Sequence, residues 1–249
     1  MTDHEARDLL LHRASYGEIT PDEAEAEAER QGLEPFARQP EATEFDPTHE
    51  LQWTLPMAVA WIADRRVDAV RNAWPAYCAE CWYWFWSRWR NGPNGEVHEG
   101  WSLRQRAFPT LLHIELMTLV ERAQADDPPP LLASMKDARE ALWAALGEGM
   151  LTVTGVPRQG GGRTTIPAQE WLALKPLDRE HRDEIGRDGV GLDYADPLVP
   201  SKAVRHLWGP RRETTALPPL MPPDGDGYMP LGCAAQWIAT EGGRRPNCH

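Results

Sequence analysis

The chain has 249 residues and a formal net charge of −12 at pH 7, and this charge is unevenly distributed. Residues 1–50 carry 14 acidic and four basic side chains, a balance of −10, whereas the other 199 residues are nearly neutral at −2. The acidic total therefore does not exclude an anionic partner for the rest of the chain. No stretch approaches the roughly 18 consecutive apolar residues of a membrane helix, and the N-terminus, MTDHEARD, has no signal-peptide core. We expect a cytoplasmic protein that does not associate with membranes.

Composition and turn signals divide the chain into five predicted parts. They are an acidic N-terminal segment (1–50), an aromatic-rich helical module (51–127), a helix–hairpin–helix module (131–209), a Pro-rich linker (210–227) and a partial second helical module (228–249). We predict an α+β fold that is mostly helical, with a small, winged-helix-like β-hairpin in its second half.

Two short helices are predicted in the acidic segment. The first covers Asp3–Arg13. The second begins after Thr20, a good N-cap, with Pro21 at the first helical position, where proline is tolerated. Gly32 ends this helix as a C-terminal glycine.

An internal repeat is the clearest pattern in the sequence. Leu55–Ala63 reads LPMAVAWIA, and Leu231–Ala239 reads LGCAAQWIA. In each copy the apolar residues recur at positions i, i+3, i+4 and i+7, which is typical of one stripe on a helix. Thr54 is a natural N-cap for the first copy. The repeat predicts two related helical modules and indicates no chemistry.

The densest aromatic cluster lies in a segment, residues 67–90, that is predicted to be one long helix. It ends at the turn signal NGPNG (91–95), and a further helix is expected over Leu103–Ala125. Two interpretations of the cluster stay open: a contact surface, because exposed aromatic residues are costly unless used, or a helix packed between two layers. Nearby arginines would also suit base stacking combined with phosphate contact. The candidate binding residues are Trp84, Trp86, Arg88, Trp89, Arg90, Trp101, Arg104, Arg106, Arg158 and Arg163.

The second half begins with a helix–strand–strand pattern. Ser134 and Asp137 have capping-box spacing, and an apolar helical stripe follows as far as Gly147. Strands are predicted at 151–154 and 164–166 around the tip Gly160-Gly161-Gly162, and Pro167 starts a short helix that carries Trp171. A charged loop over 178–189, a strand over 190–194 and a helix capped by Ser201 complete the prediction.

Two resemblances follow from these motifs. The L-x-x-A-x-x-W-I-A helix at Leu55–Ala63, its echo at Leu231–Gly243, and the later units Leu146–Thr154 and Ile166-Pro167…Trp171 together resemble an uncharacterised family of bacterial proteins. That resemblance spans most of residues 51–243 and implies a cytoplasmic protein without indicating an activity. The opening L-x-x-A-A helix is also similar to that of small winged-helix DNA binders, which implies nucleic-acid binding.

The search for catalytic or metal-binding motifs yields one conventional pattern, Cys78-Ala79-Glu80-Cys81. Redox chemistry would need this pattern at a helix N-terminus after a strand, and zinc would need a second ligand pair, which the spacing does not supply. We expect reduced, structural cysteines, and Cys78 and Cys81 are the only metal candidates. The loop GVPRQGGGRT (155–164) lacks the lysine of a phosphate-binding loop. No catalytic residue and no cofactor is predicted.

Three functional hypotheses remain, in this order. The first is a non-catalytic intracellular binding or regulatory protein that acts through protein–protein contacts. The second is a winged-helix-like nucleic-acid-binding regulator, and the third is an enzyme of unrecognised chemistry.

Overall fold

The structure is a computed structural model that describes residues 2–91, 96–114, 116, 118, 130–179, 182–189 and 191–210. Its named α-helices are α1 (Asp3–Ser15), α2 (Pro21–Arg30), α3 (Leu55–Asp64), α4 (Val67–Asn72), α5 (Pro75–Glu80), α6 (Met135–Gly147) and α7 (Ser201–Leu207). Its strands are β1 (Gln52–Thr54), β2 (Trp82–Asn91), β3 (Glu96–Gln105), β4 (Val153–Pro157), β5 (Thr164–Ile166), β6 (Lys175–Arg179), β7 (Arg182–Arg187) and β8 (Gly191–Pro200). Short 3-10 helices cover Pro47–His49 and Ala168–Leu172, and residues 111–114 are also helical.

The prediction of a mostly helical fold is wrong. The fold is α+β and contains a sheet of six antiparallel strands as well as a separate two-stranded sheet. In the larger sheet the order is β5-β4-β8-β7-β6, and β1 also pairs with β8. Strand β8 joins three partners because its ten residues pair with β7 near the start, with β4 in the middle and with β1 at the end. This one long strand therefore joins β1, the β4–β5 pair and the β6–β7 pair into a single sheet.

The main hydrophobic core surrounds α3. All ten residues of this helix are buried, so it is covered on every side rather than along the single predicted stripe. Thr54 caps it as predicted, accepting a hydrogen bond from the Met57 backbone N–H. The indole of Trp61 is also buried and donates to the Trp208 carbonyl at 2.6 Å. Helix α3 thus packs between the sheet and α6 as the centre of the molecule's largest core.

The long aromatic helix predicted over residues 67–90 is wrong as well. Helices α4 and α5 occupy the first part of this segment. Cys81 then has an extended backbone conformation, and β2 begins at the next residue. The run WYWFWSRW has aromatic residues at adjacent positions, and such residues pack well on the two faces of a strand but would crowd a helix on all sides. The turn signal at 91–95 therefore separates two paired strands, β2 and β3, instead of ending a helix. The predicted helix at Leu103–Ala125 is replaced at its start by β3, which runs to Gln105.

The predictions for the remaining elements have mixed outcomes. Both acidic helices are confirmed, and Thr2 and Thr20 form capping boxes with Glu5 and Glu23. The Ser134 cap, strand β5 and the short helix after Pro167 are confirmed too. The predicted charged loop over 178–189 is wrong, because β6 and β7 pair across it. The β4–β5 hairpin is part of the six-stranded sheet and not an independent, winged-helix-like unit.

Two sequence predictions lie outside the described residues. They are the second W-I-A helix at Leu231–Ala239 and the Pro-rich linker from residue 211 onward. Within the part of the chain that the structure describes, no helix is long and apolar enough to cross a membrane.

Candidate functional site

The candidate site is the β2–β3 hairpin, which carries most of the predicted binding residues. Its register places Trp84 opposite Leu103, Trp86 opposite Trp101 and Arg88 opposite Glu99. Because directly opposite residues share a face, these six side chains start on one face and their sequence neighbours on the other. A strand thus divides the aromatic cluster between two faces, which a helix would not have done.

One part of the hairpin is covered by the N-terminal helices. Trp84, Trp101 and Leu103 pack against a small core formed by α1, α2 and the segment that follows α2. Trp84 contacts Phe36 edge to face, with 5.5 Å between ring centroids. Its indole N–H donates to the Glu25 Oε1 atom at 2.8 Å. The acidic segment 1–50 is therefore not a detached tail, since α1 and α2 are folded onto the hairpin.

Gly100 of β3 allows this close approach. A Cβ atom at this position would lie 2.0 Å from the Ser15 backbone oxygen, far inside van der Waals contact. Only glycine can occupy β3 where the end of α1 meets it. No local sequence pattern indicates this role, because the contact joins residues 85 positions apart.

The rest of the hairpin presents large aromatic side chains to solvent. Trp82 and Trp86 lie on the face of Trp84, and Tyr83 and Phe85 lie on the opposite face. These four side chains, which together we call the aromatic surface, are between 39% and 46% exposed. Consecutive aromatic residues of this size are rarely left in water without use, because each loses the free energy that burial would supply. Trp86 also contacts Trp101 edge to face, with 5.1 Å between ring centroids. This contact links the aromatic surface to the part of the hairpin that the N-terminal helices cover.

The predicted arginines of the hairpin are held by neighbouring groups. The Arg104 guanidinium lies over the Phe85 ring at 4.0 Å, and the Arg88 Nε atom lies 3.1 Å from the Glu99 Oε1 atom. Arg106 continues the ladder by donating its backbone N–H to the Cys81 carbonyl. Arg90 stands at the register position opposite Val97.

Trp89 belongs to the covered part of the hairpin rather than to the aromatic surface. Its ring stacks on His98, with 6.2 Å between the centroids, and meets the edge of Tyr16 at 6.4 Å. Tyr16 follows α1, so this contact is a second attachment of the N-terminal helices to the hairpin.

Helices α1 and α2, which are folded onto the hairpin, carry eight acidic side chains and three arginines. Hydrogen bonds from Thr20 lower the pKa of Glu23, and a hydrogen bond from Gln31 lowers the pKa of Glu27. Both groups are therefore ionised at neutral pH. Phosphate groups would be repelled by this side of the molecule.

The two remaining predicted arginines, Arg158 and Arg163, lie in the other sheet. Arg163 donates to the backbone carbonyls of Thr154 and Asp196, so it holds β4 near β8. Arg158 lines a cleft of about 470 Å³ together with side chains that the sequence analysis missed. The predicted arginines thus lie in two places, the β2–β3 hairpin and the six-stranded sheet, and they do not form a single binding site.

The cleft is lined by a hydrogen-bonded network of opposite charges. Glu170 accepts from Arg187 at 2.8 Å and from the Tyr194 hydroxyl at 3.2 Å, while Asp193 accepts from the Arg187 backbone N–H at 2.9 Å. Burial, and then the charge of Glu170, raise the pKa of Tyr194, which keeps this phenol neutral. No spacing in the sequence reveals the network, because its members come from β7, β8 and a 3-10 helix.

The cysteine pair is buried in a small cluster with Tyr77. The Cys78 and Cys81 thiols donate to the carbonyls of Asn72 and Tyr77, each at 3.2 Å, and no disulfide joins them. Burial raises the pKa of Cys81, which disfavours the thiolate form that acts as a nucleophile. Among the described residues, no three His, Cys, Asp or Glu side chains come together as metal ligands.

One carboxyl group, that of Asp183 on β7, is buried apart from these sites. Burial, followed by the nearby charge of Asp196, raises the pKa of Asp183 well above its ordinary value. The Leu111 backbone N–H donates to this carboxyl, and its Oδ2 atom has no hydrogen-bond partner. The contact joins β7 to the start of the helical residues 111–114.

Comparison with known proteins adds no family to this description. Neither a protein-family model nor a curated protein nor a solved structure matches the chain.

Proposed function

We propose that the chain is a non-catalytic binding protein that contacts another protein through the aromatic surface of the β2–β3 hairpin. The observation that carries this proposal is the exposure of four aromatic side chains, two on each face of one paired strand. Large aromatic residues supply much of the binding energy at protein interfaces, because they bury a large area with few rotatable bonds.

A protein partner suits the surroundings of this surface better than a nucleic acid. A stacking platform for bases needs cations that reach phosphates, whereas Arg88 is paired with Glu99 and Arg104 lies on Phe85. The carboxylates of α1 and α2 add negative potential beside the hairpin. We therefore expect the partner to bring apolar side chains to the aromatic surface and basic side chains to its rim.

The charged cleft supports a binding protein rather than an enzyme. Its carboxylates at Glu170 and Asp193 are both paired with Arg187, so their charge is engaged within the protein rather than directed at a bound substrate.

The experiment that tests the proposal is affinity capture with the full chain as bait. Wild type is compared with Phe85→Ser/Trp86→Ser and with the control Leu172→Ser, which removes an exposed apolar side chain from the 3-10 helix Ala168–Leu172. Proteins retained by wild type and by the control, but lost from the hairpin variant, are the expected result. Circular dichroism checks that all three baits are folded.

Two outcomes would contradict the proposal. Retention of the same proteins by all three baits would remove the hairpin as the contact. Recovery of RNA or DNA that disappears with the hairpin variant would instead favour a nucleic-acid-binding protein.

A further inference from the structure

The outer edge of β2 offers unpaired backbone groups beside the aromatic surface. The Cys81 carbonyl accepts from the Arg106 N–H, so the odd-numbered residues of β2 direct their backbone groups toward β3. The even-numbered residues direct theirs outward. Trp82 demonstrates this, because its N–H and carbonyl exchange hydrogen bonds with Arg38 at 2.8 and 3.0 Å.

Beyond Trp82 this edge is open in the part of the chain that the structure describes. The bridge to Arg38 is an isolated one, and the two-stranded sheet contains only β2 and β3 there. Both Trp86 and Arg88 are exposed. An open strand edge pairs readily with another extended chain, which gains a full ladder of backbone hydrogen bonds.

We propose that this edge pairs with the same edge of a second copy of the chain, forming an antiparallel, four-stranded intermolecular sheet centred on Ser87. The inference rests on the proposed function, since it names the partner that the hairpin contacts. It also commits to one register. Trp82 is already bonded to Arg38, and centring on Ser87 uses the outward groups from Trp84 to Arg90 without needing those of Trp82.

The sequence of β2 is complementary to itself in this register. Aromatic residues fill its first half and arginines its second, so an antiparallel copy places Trp86 opposite the partner's Arg88. A guanidinium over an indole is a favourable contact, and arginine is kept away from arginine. On the other face, Phe85 stands opposite the partner's Trp89. A two-fold axis makes each contact occur twice, as closed dimers require.

The mass of the full chain in solution gives the first test. We expect light scattering after size-exclusion chromatography to give twice the 28.1 kDa of the monomer. Arg88→Pro removes one outward N–H and leaves the bonds to β3 intact, since proline is tolerated on strand edges. It should weaken dimerisation about tenfold or more beyond the matched variant Arg88→Ala, which also loses the guanidinium contact with Trp86 but keeps the backbone N–H.

Cross-linking tests the register. Ser87 would face its own copy in a pair without backbone hydrogen bonds, where Cα atoms lie roughly 4.5 Å apart, within the range that a disulfide spans. Ser87→Cys should therefore give an intermolecular disulfide on mild oxidation, in a background with Cys233→Ser and Cys248→Ser. Ser102→Cys is the matched control, because Ser102 lies on β3 and its hydroxyl is bonded to that of Ser87 at 3.2 Å. It should remain monomeric on a denaturing gel.

Two results would overturn the inference. A monomeric wild type would exclude the dimer, and a dimer in which Ser87→Cys and Ser102→Cys cross-link equally would exclude the register. If the wild type is monomeric but the hairpin variant Phe85→Ser/Trp86→Ser still loses its captured proteins, the second copy is excluded while the hairpin remains a protein-contact surface.

Discussion

Tryptophan is used in two different ways in the two regions of this molecule. In the core around α3, Trp53, Trp61 and Trp171 are at most 4% exposed, and the first two donate to backbone carbonyls of Pro47 and Trp208. On the hairpin, tryptophans 82 and 86 are 39% and 46% exposed. The residue type is the same, so its role depends on how many layers cover it.

The number of covering layers follows from the topology. Helix α3 lies between a six-stranded sheet and α6, so side chains reach it from all directions. The hairpin has only two strands and is covered by α1 and α2, whose contacting residues include the small side chains Ala14, Ala24 and Ala28. A two-stranded sheet cannot bury both faces by itself. The aromatic residues beyond the reach of these helices therefore stay in water.

The largest expected effect is the difference in stability between a core tryptophan variant and a hairpin tryptophan variant. Trp61→Ala should lower the free energy of unfolding by about 3–5 kcal/mol, because it leaves a cavity in the core and an unpaired Trp208 carbonyl. Trp86→Ala, the matched substitution on the hairpin, should cost under about 1 kcal/mol. Urea denaturation followed by circular dichroism measures both. Equal losses would remove the distinction between the two regions.

The next effect concerns the attachment of α1 to the hairpin. Gly100→Ala would force a Cβ atom against the Ser15 backbone oxygen and should cost about 1–3 kcal/mol. Hydrogen exchange should show the loss mainly in α1 and β3. Gly162→Ala is the control, because its Cβ would meet open space. An unaffected Gly100 variant would indicate that α1 can dock without this close contact.

A pH-dependent effect is expected in the larger sheet. The folded-state pKa of Asp183 is raised above that of the unfolded chain, so the unfolded chain ionises first as pH rises. This group therefore lowers stability progressively above the unfolded pKa, by at most about 1.4 kcal/mol per pH unit. Asp183→Asn should reduce that decline between pH 4 and pH 8 in urea titrations. The control Asp188→Asn, at an exposed residue, should leave the pH dependence of the unfolding free energy unchanged. If it reduces the decline as much as Asp183→Asn does, the decline does not come from Asp183.

The smallest effect lies on the exposed region. Arg104 over Phe85 is a solvent-exposed cation–π contact and should contribute about 0.5–1 kcal/mol. A double-mutant cycle with Arg104→Ala and Phe85→Leu isolates this interaction energy. A coupling energy near zero would mean that the arginine only covers the ring and does not stabilise the hairpin.

Local sequence signals are sufficient to predict the helices whose ends are capped by residues close to them along the chain. Thr20, Thr54 and Ser134 cap their helices where predicted, because a capping hydrogen bond spans only three positions. The sequence indicates candidate residues for the site, but it does not predict which of them lie close together. Arg163 was grouped with arginines of the hairpin, although it is bonded to Thr154 and Asp196 in the other sheet.

Local sequence patterns alone predict the acidic N-terminal helices, the apolar character of α3, and the short elements whose turns and caps are local. That the run WYWFWSRW is a strand, and that residues 178–179 and 182–187 belong to paired strands, depends on tertiary contacts. Strand pairing depends on partners distant along the chain, such as Trp82 with Gln105, and a single segment carries no record of its partner. Burial also depends on distant parts of the chain. Trp61 and Trp86 are both tryptophans, but their exposed fractions differ because Trp61 has neighbours on every side and Trp86 does not.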